Sequence, residues 1–318
     1  MDHTLLLDGI SKRFAGHTAV DDLSLTVPQG TIYGILGPNG AGKSTTLRMV
    51  MNILIRDAGR ISLLGADPER DDRVLRRVGF LPEERGLYRK MKVLDVIVFF
   101  ARLKGVEAGV ARTRASEWLD RMGLADWHGA KVETLSKGMQ QKVQFITTVI
   151  HEPELLILDE PQSGLDPVNQ EVLRDTILDW RRQGRTVILS THNMEQAEQM
   201  CEHVCIIAGG RKILDGTVRD LRRENRGTNY LVEFEEESPA VEQMMARAAF
   251  GEVTRQGHAW RVDLGSGGDP RGLMTELAAL DVPVARFERE LPSLHDIFVS
   301  RVGAAAATAQ RRPEIAHV

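Results

Sequence analysis

The stretch that decides the fold is Gly37-Pro38-Asn39-Gly40-Ala41-Gly42-Lys43-Ser44, which matches G-x-x-x-x-G-K-[ST] at every fixed position. It directly follows the apolar run Ile32 to Leu36. It precedes a segment whose apolar residues recur at helical spacing: Leu47, Val50, Met51 and Leu54. Glycines adopt backbone conformations that other residues avoid, so successive N–H groups can converge on a polyphosphate at the helix N-terminus. The sequence therefore predicts a phosphate-binding loop between a strand and a helix.

The motif also assigns roles within this loop. Lys43 is expected to reach the β- and γ-phosphates of a nucleotide, and the Ser44 hydroxyl to ligate Mg²⁺. A glycine-rich turn with a surface lysine is the alternative, which the complete motif and its context disfavour. The predicted nucleotide-binding set is Gly37, Pro38, Asn39, Gly40, Ala41, Gly42, Lys43, Ser44 and Thr45.

Length and composition limit the class of protein. A chain of 318 residues is long for one compact core, so two domains are expected. The net charge of −4 gives no electrostatic reason to expect nucleic acid as a partner. The most apolar run, Val93 to Ala101, is interrupted by Asp95 and is shorter than the roughly 18 to 20 residues that span a bilayer. Without a secretion signal at the N-terminus, we expect a cytoplasmic protein.

The first two thirds of the chain alternate strands with helices. A helical region is predicted from Val93 to about Met122, because its apolar spacing is helical and it lacks proline. Apolar strands alternating with helices predict a parallel sheet buried on both faces, an α/β fold. The other predicted elements are strands Thr4–Leu7, Leu23–Val27, Thr31–Leu36, Leu155–Leu158 and Thr186–Ser190, and helices at about Val168–Gln183 and Met194–Cys201.

A second domain is predicted after a polar linker at Arg222 to Gly227. The pattern beyond it is β-α-β-β-α-β followed by a helix from Leu294, a split-βαβ arrangement. The predicted strands are Tyr230–Phe234, Glu252–Arg255, Ala259–Leu264 and Val282–Phe287, and the helices are Ala240–Ala249 and Arg271–Leu280. We therefore assign residues 1–220 to a nucleotide-binding domain and 228–302 to an accessory domain, and we predict that 303–318 are disordered.

An acidic pair ends the buried strand Leu155 to Leu158. Asp159 stands where a carboxylate can hold Mg²⁺ directly or through water, and Glu160 where it can polarise an attacking water. Without the upstream loop, the same pair could be only a solvated turn.

Two cysteines, Cys201 and Cys205, flank His203, but no further residues are spaced to complete a structural zinc site, so we interpret both as small apolar residues.

Three further segments complete a set that resembles the ATP-binding cassette (ABC) ATPases, in that family's order, over roughly Leu5 to Thr217. Ser190-Thr191-His192 is similar to the switch-histidine segment. The segment similar to the signature loop contains Ser136, Lys137, Gly138, Met139 and Gln140, and the one similar to the D-loop contains Ser163, Gly164, Leu165 and Asp166. The resemblance implies a P-loop NTPase with a RecA-like core and with antiparallel β and α-helical subdomains.

The resemblance also implies how the parts work together. Two ATP molecules with Mg²⁺ would be sandwiched between two nucleotide-binding domains, as a homodimer or a mixed pair, with the Ser136 loop of one closing on the nucleotide held by the other's Lys43. A helix N-terminus carries partial positive charge, which makes the Ser136 loop a second anion site. Lys43, Glu160 and His192 are then the catalytic residues, and Asp166 communicates across the interface. His192 could otherwise be an ordinary polar cap.

Two positions bear on how closely the family pattern is followed. Phe14 falls where the family carries an aromatic that stacks on adenine, although it could be a core residue. Glu83 replaces the usual Q-loop glutamine; it can accept from a metal-bound water but cannot donate while ionised. We expect Glu83 to be functional near Mg²⁺. Met139 replaces the glutamine, or glycine and glutamine, that usually follows the signature glycine. We expect the signature loop to keep its structure because Gln140 and Gln141 follow.

The run Pro82 to Tyr88 and the ending Leu291 to Phe298 resemble a subgroup of bacterial exporter ATPases with a C-terminal accessory domain, including sodium- and drug-export subunits. The function that this implies is an ATPase of the translocase class that powers an ABC-2 type exporter through a separate membrane permease, on the cytoplasmic face of the membrane. The permease is expected to dock near Glu83 and the helical region Val93 to Met122. The alternatives are a soluble ABC ATPase acting on nucleic acid or ribosomes, and an ATP-binding regulator without hydrolysis.

Overall fold

The computed structural model describes residues 3–84, 86–246, 251–265 and 267–301. These residues form two compact units, one running up to Val218 and including the residues from Phe298 onward, the other from Arg219 to Ile297. The predicted disordered tail, 303–318, lies outside the described residues. Within the described part of the chain, every helix is too short or too polar to cross a bilayer.

The strands of the first unit form two sheets. In chain order they are β1 (His3–Phe14), β2 (His17–Pro28), β3 (Ile32–Leu36), β4 (Ala58–Leu63), β5 (Val78–Leu81), β6 (Leu155–Asp159), β7 (Thr186–Thr191), β8 (His203–Ala208) and β9 (Arg211–Thr217). An antiparallel sheet has the order β2-β1-β4. The six-stranded core sheet has the order β5-β6-β7-β3-β8-β9, in which only β9 runs antiparallel to its neighbour.

The core sheet confirms the predicted α/β fold class. Every residue of β3, β6 and β7 is buried, as expected for parallel strands that are covered on both faces. The antiparallel sheet differs from the prediction, because β1 and β2 are much longer than Thr4–Leu7 and Leu23–Val27. They form one hairpin that turns after Phe14, and their irregular register interrupts the strict alternation that sequence patterns rely on.

The helices of the first unit are α1 (Lys43–Val50), α2 (Val93–Leu103), α3 (Ala108–Arg121), α4 (Lys137–Val149), α5 (Pro167–Arg182) and α6 (Met194–Met200). Helix α7 (Val218–Glu224) begins at the last residue before the second unit and otherwise belongs to that unit. The predicted helical region from Val93 to about Met122 is divided between α2 and α3. The chain leaves the helical conformation after Leu103, and Gly105 has a φ of 91°, a conformation that ends helices and that glycine adopts without strain. The predicted linker is also partly helical, because α7 continues to Glu224.

The second unit follows the predicted β-α-β-β-α-β order closely. Its elements are β10 (Asn229–Phe234), α8 (Pro239–Met245), β11 (Glu252–Gln256), β12 (Ala259–Asp263), α9 (Pro270–Ala278) and β13 (Val284–Arg289), and a helix α10 begins at 294 and continues to 301. The four strands form an antiparallel sheet of order β11-β12-β10-β13. Its own hydrophobic core includes Tyr230, Val232, Val241, Met244, Met245, Val262, Leu273 and Leu277.

Candidate functional site

The register of the core sheet brings three strand ends together. Leu36, the last residue of β3, lies beside Thr191 of β7, and Asp159, the last residue of β6, lies beside Ser190. Because these strands are parallel, the loops that follow them leave the same edge of the sheet. In open α/β sheets this carboxyl edge is where ligands bind.

The glycine-rich loop after β3 can be built only with glycine at two positions. Gly37 has a φ of 155°, and a Cβ there would lie 2.1 Å from the carbonyl oxygen of Ile207. Gly42 has a φ of 103°, and a Cβ there would lie 2.4 Å from the carbonyl oxygen of Ala19. Both contacts are far below any tolerated Cβ separation, so the backbone itself forms the floor of the loop. Gly42 leads directly into α1, which places the helix N-terminus at this floor.

Lys43 is buried at the start of α1, with its ammonium inside the loop. Its Nζ donates to the carbonyl oxygens of Gly37 at 2.8 Å and Pro38 at 3.2 Å. The same nitrogen lies 3.6 Å from Oε1 of Glu160, an ion pair in which both side chains are less than a tenth exposed. A buried charge of this kind requires compensation, and the loop carbonyls and the carboxylate supply it.

Glu160 is the most heavily hydrogen-bonded side chain of the site. Its Oε1 accepts from the backbone N–H of His192 at 2.9 Å and lies 2.9 Å from Nδ1 of the same residue. Its Oε2 accepts from the Thr191 hydroxyl at 3.2 Å. The backbone of Glu160 is left-handed, with a φ of 48°, which is uncommon for a residue other than glycine. The carboxylate is therefore held by groups from the neighbouring strand β7, with the half-exposed His192 ring beside it.

Asp159 and Ser44 supply the oxygen atoms that suit Mg²⁺. Asp159 is 1% exposed and accepts a hydrogen bond from the Ser190 hydroxyl, which leaves its carboxylate fixed at the strand end. Among the described residues, no three His, Cys, Asp or Glu side chains converge as a metal site. In proteins Mg²⁺ is usually held by one or two carboxylates together with substrate phosphates and water. The donor set is compatible with Mg²⁺.

The predicted signature loop opens α4. Ser136 is the N-cap residue, and its hydroxyl accepts from the backbone N–H of Met139 at 3.2 Å. Gln140 Nε2 donates to the carbonyl oxygen of Leu135 at 3.0 Å. Met139 contributes only its backbone to this cap, so the replacement of the usual side chain leaves the local structure intact. Ser136 and Lys137 are exposed, so the N-terminal end of α4 is accessible.

The predicted D-loop lies next to the acidic pair. Asp166 caps α5 by accepting from the backbone N–H of Asn169 at 3.1 Å, and this hydrogen bond lowers the pKa of the Asp166 carboxyl. A cleft of about 270 Å³ separates the D-loop from the histidine segment. Its lining includes Glu160, Ser163, Gly164, Gln170, His192 and Gln196.

Two further predicted residues, Phe14 and Glu83, lie at the surface. Phe14 is 46% exposed at the end of β1, with the Lys12 ammonium 5.7 Å from its ring centroid, which rules out the core alternative. The Glu83 side chain is exposed after β5.

Cys201 and Cys205 are free and buried, and burial raises the pKa of each thiol to about 12. That environment suits inert apolar packing.

Sequence reasoning overlooked the side chains that hold the site in place. Ser190 and Thr191 were noted only as neighbours of His192, yet their hydroxyls donate to Asp159 and Glu160. Gln141 is predicted only to help preserve the signature loop, and no role is predicted for Gln144, yet both are buried and donate to loop carbonyls. Two glutamines on the apolar face of a helix were the signal that could have identified them.

Two family models match the chain. One, described as ABC transporter, matches residues 20–163. The other, described as the C-terminal domain of ATP-binding protein DrrA1-3-like proteins, matches residues 216–302. Between them they cover parts of both compact units.

Curated relatives match over most of the chain. An uncharacterized ABC transporter ATP-binding protein of Bacillus subtilis, YhaQ, is 38% identical over 94% of this chain and 99% of its own length. The Nod factor export ATP-binding protein I of Burkholderia orbicola is 32% identical over 92% of this chain and 95% of its own. The daunorubicin resistance ATP-binding protein DrrA3 of Streptomyces coeruleorubidus is 37% identical over 71% and 72%.

Solved structures agree with the fold. An ATP-binding subunit of an ABC transporter has a TM-score of 0.65 and 28% identity, covering 70% of this chain and 92% of its own. The ATP-binding cassette MJ0796, in a dimeric post-hydrolysis state with ADP and Pi, has a TM-score of 0.62 and 21% identity, covering 67% and 98%. At that identity the second similarity supports the fold alone.

Proposed function

Because the chain belongs to the ATP-binding proteins of ABC transporters, we propose that it is the ATP-hydrolysing subunit of an ABC-2 type exporter. The observation that carries the hydrolytic part is the arrangement of Glu160, whose carboxylate lies 2.9 Å from His192 Nδ1 and 3.6 Å from Lys43 Nζ. A carboxylate, an imidazole and a phosphate-binding ammonium meet at the edge of one sheet. These are the groups that phosphoryl transfer to water requires.

The loop residues bind the nucleotide. The backbone N–H groups of the loop and the N-terminus of α1 bind the phosphates, and the Lys43 ammonium compensates their charge. Ser44, Asp159 and Glu83 are the residues that would hold Mg²⁺, and the bound ion would neutralise charge that develops on the phosphate oxygens. Phe14 offers an exposed aromatic face to the adenine.

Glu160 acts as the general base. Its backbone and side chain are fixed by Ser190, Thr191 and His192, so the carboxylate is oriented before a substrate water arrives. His192 is half exposed at the mouth of the cleft, where its imidazole can contact the transferred phosphoryl group and the attacking water. Catalysis is then a matter of positioning and of charge stabilisation.

The site becomes complete when a second nucleotide-binding domain supplies its Ser136 loop. The exposed N-terminus of α4 is a second anion site, far in sequence from Lys43. We propose that it closes on the triphosphate bound by the other copy, and that Asp166 lies at the same seam. Pairing of two copies then buries each nucleotide between domains.

A group of exposed aromatic residues supports a docking site for the permease. Tyr88 is 54% exposed, and its ring centroid lies 5.5 Å from that of Phe99, which is 37% exposed. Phe100 completes the cluster, 6.1 Å from Tyr88. Clustered apolar surface of this kind marks interaction sites. It lies on α2 and the segment that follows Glu83, where the sequence predicts the permease to dock.

Export is the direction that the named relatives support. Relatives are named for Nod factor export and for daunorubicin resistance. We propose that this chain sits peripherally on the cytoplasmic face of the membrane and powers efflux through a separate ABC-2 permease. The transported compound is chosen by that permease.

Co-expression with an ABC-2 permease of the same organism tests the proposal. The chain should reach the membrane fraction only when that permease is present, and Mg²⁺-dependent ATP hydrolysis should follow the complex through purification. As a matched pair, Tyr88→Ala should reduce co-purification several-fold, whereas Trp127→Ala, which alters another exposed aromatic, should not. Stimulation of ATP hydrolysis by DNA or ribosomes, with no permease association, would overturn it in favour of the soluble alternative.

A further inference from the structure

Gln144 is a buried glutamine in the middle of α4. Its side-chain nitrogen donates to the carbonyl oxygens of Pro82 at 3.3 Å and Glu84 at 3.1 Å. These two carbonyls flank Glu83, so a single amide clasps the loop on both sides of that residue. Because both acceptors are carbonyl oxygens, only the nitrogen end of the amide can face them.

This clasp comes with an energetic cost. The Oε1 atom of Gln144 is buried and has no hydrogen-bond partner within the described ranges of the chain. Leaving such an acceptor unpaired costs on the order of 1–3 kcal/mol, a cost that a methionine of similar volume would avoid only by giving up the hydrogen bonds to Pro82 and Glu84. A polar group that is only partly satisfied in a core is typical of a functional site, where local stability is given up for position.

Helix α4 connects the clasp to the other parts of the site. Its first residue follows Ser136, the cap of the exposed anion site. One turn before Gln144, the amide of Gln141 donates to the carbonyl oxygen of Pro161 at 3.2 Å, directly after Glu160. The helix therefore has side-chain hydrogen bonds to two loops of its own copy, while its N-terminus faces outward.

We propose that Gln144 is a positioning residue that makes the Glu83 loop and the signature helix move as one body. The inference rests on the proposed function, in which Glu83 lies near the nucleotide of its own copy and Ser136 reaches the nucleotide of the other copy. A rigid connection from one to the other couples occupancy of the first site to closure of the second. Gln144 itself touches neither nucleotide.

The test is Gln144→Met in the full-length chain, since methionine keeps the length of the side chain and removes its donors. We expect kcat for ATP hydrolysis to fall about 10-fold and the Hill coefficient for ATP to approach 1. KM should change less than about 2-fold, and the melting temperature should change little, because loss of the two hydrogen bonds to Pro82 and Glu84 offsets removal of the unpaired oxygen. Thr147→Val is the matched control: Thr147 donates only to the backbone of its own helix, so its kcat should remain within about 2-fold of wild type.

A double-mutant cycle separates positioning from a general structural role. If Gln144 acts through the loop, Glu83→Ala and Gln144→Met share one effect, and the double variant is no slower than the slower single variant. An unchanged kcat in Gln144→Met, or losses that multiply in the double variant, would overturn the inference. Should Gln144→Met fold poorly, Gln144→Asn, whose amide is one methylene too short to reach both carbonyls, must show the same kcat and Hill changes. A wild-type chain without ATPase activity would instead refute the proposed function.

Discussion

The two units use β-sheet in opposite ways. In the first, parallel strands end at one edge and bring Lys43, Asp159 and Glu160 together, each less than a tenth exposed. In the second, an antiparallel sheet packs one face on helices, and its charges pair near the surface, as between Arg261 and Glu290 at 2.6 Å. Among the described residues, the buried polar and charged side chains all lie in the first unit. Chemistry is therefore expected at the parallel edge of the first unit.

The largest effect should come from removing the buried carboxylate. Glu160→Gln keeps the shape but loses the base, so kcat for ATP hydrolysis should fall about 10²- to 10⁴-fold while ATP still binds. Glu290→Gln, which removes a carboxylate from the second unit, should leave kcat within about 2-fold. Steady-state assays with Mg²⁺ and ATP measure both. Hydrolysis that survives in Glu160→Gln would assign the base elsewhere.

Matched core truncations sharpen the contrast between stability and function. Leu47 in α1 and Leu273 in α9 are both almost fully buried, and truncation of each to alanine should cost about 2–5 kcal/mol in the free energy of unfolding of its unit. Only Leu47→Ala should also weaken ATP binding, because α1 carries Lys43. Urea unfolding and ATP titration test the pair. Equal loss of ATP affinity in both variants would mean that the second unit shapes the site.

A smaller effect is expected at the aromatic residues. Phe14→Ala should raise KM for ATP about 2- to 12-fold, the equivalent of roughly 0.5–1.5 kcal/mol of stacking. Trp260 of the second unit also has a cation near its ring, Arg255 at 5.4 Å, yet Trp260→Phe should leave KM unchanged. If Phe14→Ala has wild-type KM for ATP and for GTP, the ring is not a base-stacking surface.

The smallest effect on activity is expected from the two cysteines. Burial raises the pKa of Cys201 and Cys205 to about 12, so between pH 7 and 9 both stay protonated in the folded chain. Iodoacetamide at pH 8 should therefore modify neither thiol until urea unfolds the first unit, and activity should be unaffected. Mass spectrometry follows the modification. Rapid labelling of the native chain would show that the two thiols are exposed to solvent.

The second unit was easier to predict from sequence than the first. Its elements are short and amphipathic, so period and turn residues were sufficient to predict β10 to β13, even though β10 pairs with the distant strand β13. In the first unit, apolar spacing indicated a helical region from Val93 to Met122 but not the break after Leu103, because buried residues at helical spacing resume in α3 at Ala111, Ala115 and Leu119. The full length of the β1–β2 hairpin could not be predicted either, because its register shifts disturb the alternation of apolar and polar residues.

In the site, contiguous motifs could be predicted from sequence, whereas contacts between residues far apart in sequence could not. Gly37 to Ser44 and the acidic pair are contiguous motifs, so the sequence indicates them directly. The groups that hold Glu160 come from β7, about thirty residues away, and the Gln144 clasp joins α4 to a loop some sixty residues earlier. Such contacts depend on the order of strands in the sheet, which no local pattern encodes. Their residues become visible only in the folded chain.

The central claim is that each nucleotide is bound between two copies, by Lys43 of one and the Ser136 loop of the other. Light scattering of Glu160→Gln with Mg²⁺ and ATP tests it most directly, with Ser136→Asp and Ser136→Asn added in turn. Both replacements are good N-caps, but only aspartate places a negative charge at the anion site. We predict that ATP doubles the mass of Glu160→Gln and of its asparagine variant but not of its aspartate variant. A single-chain mass with ATP bound, or doubling despite Ser136→Asp, would contradict the account.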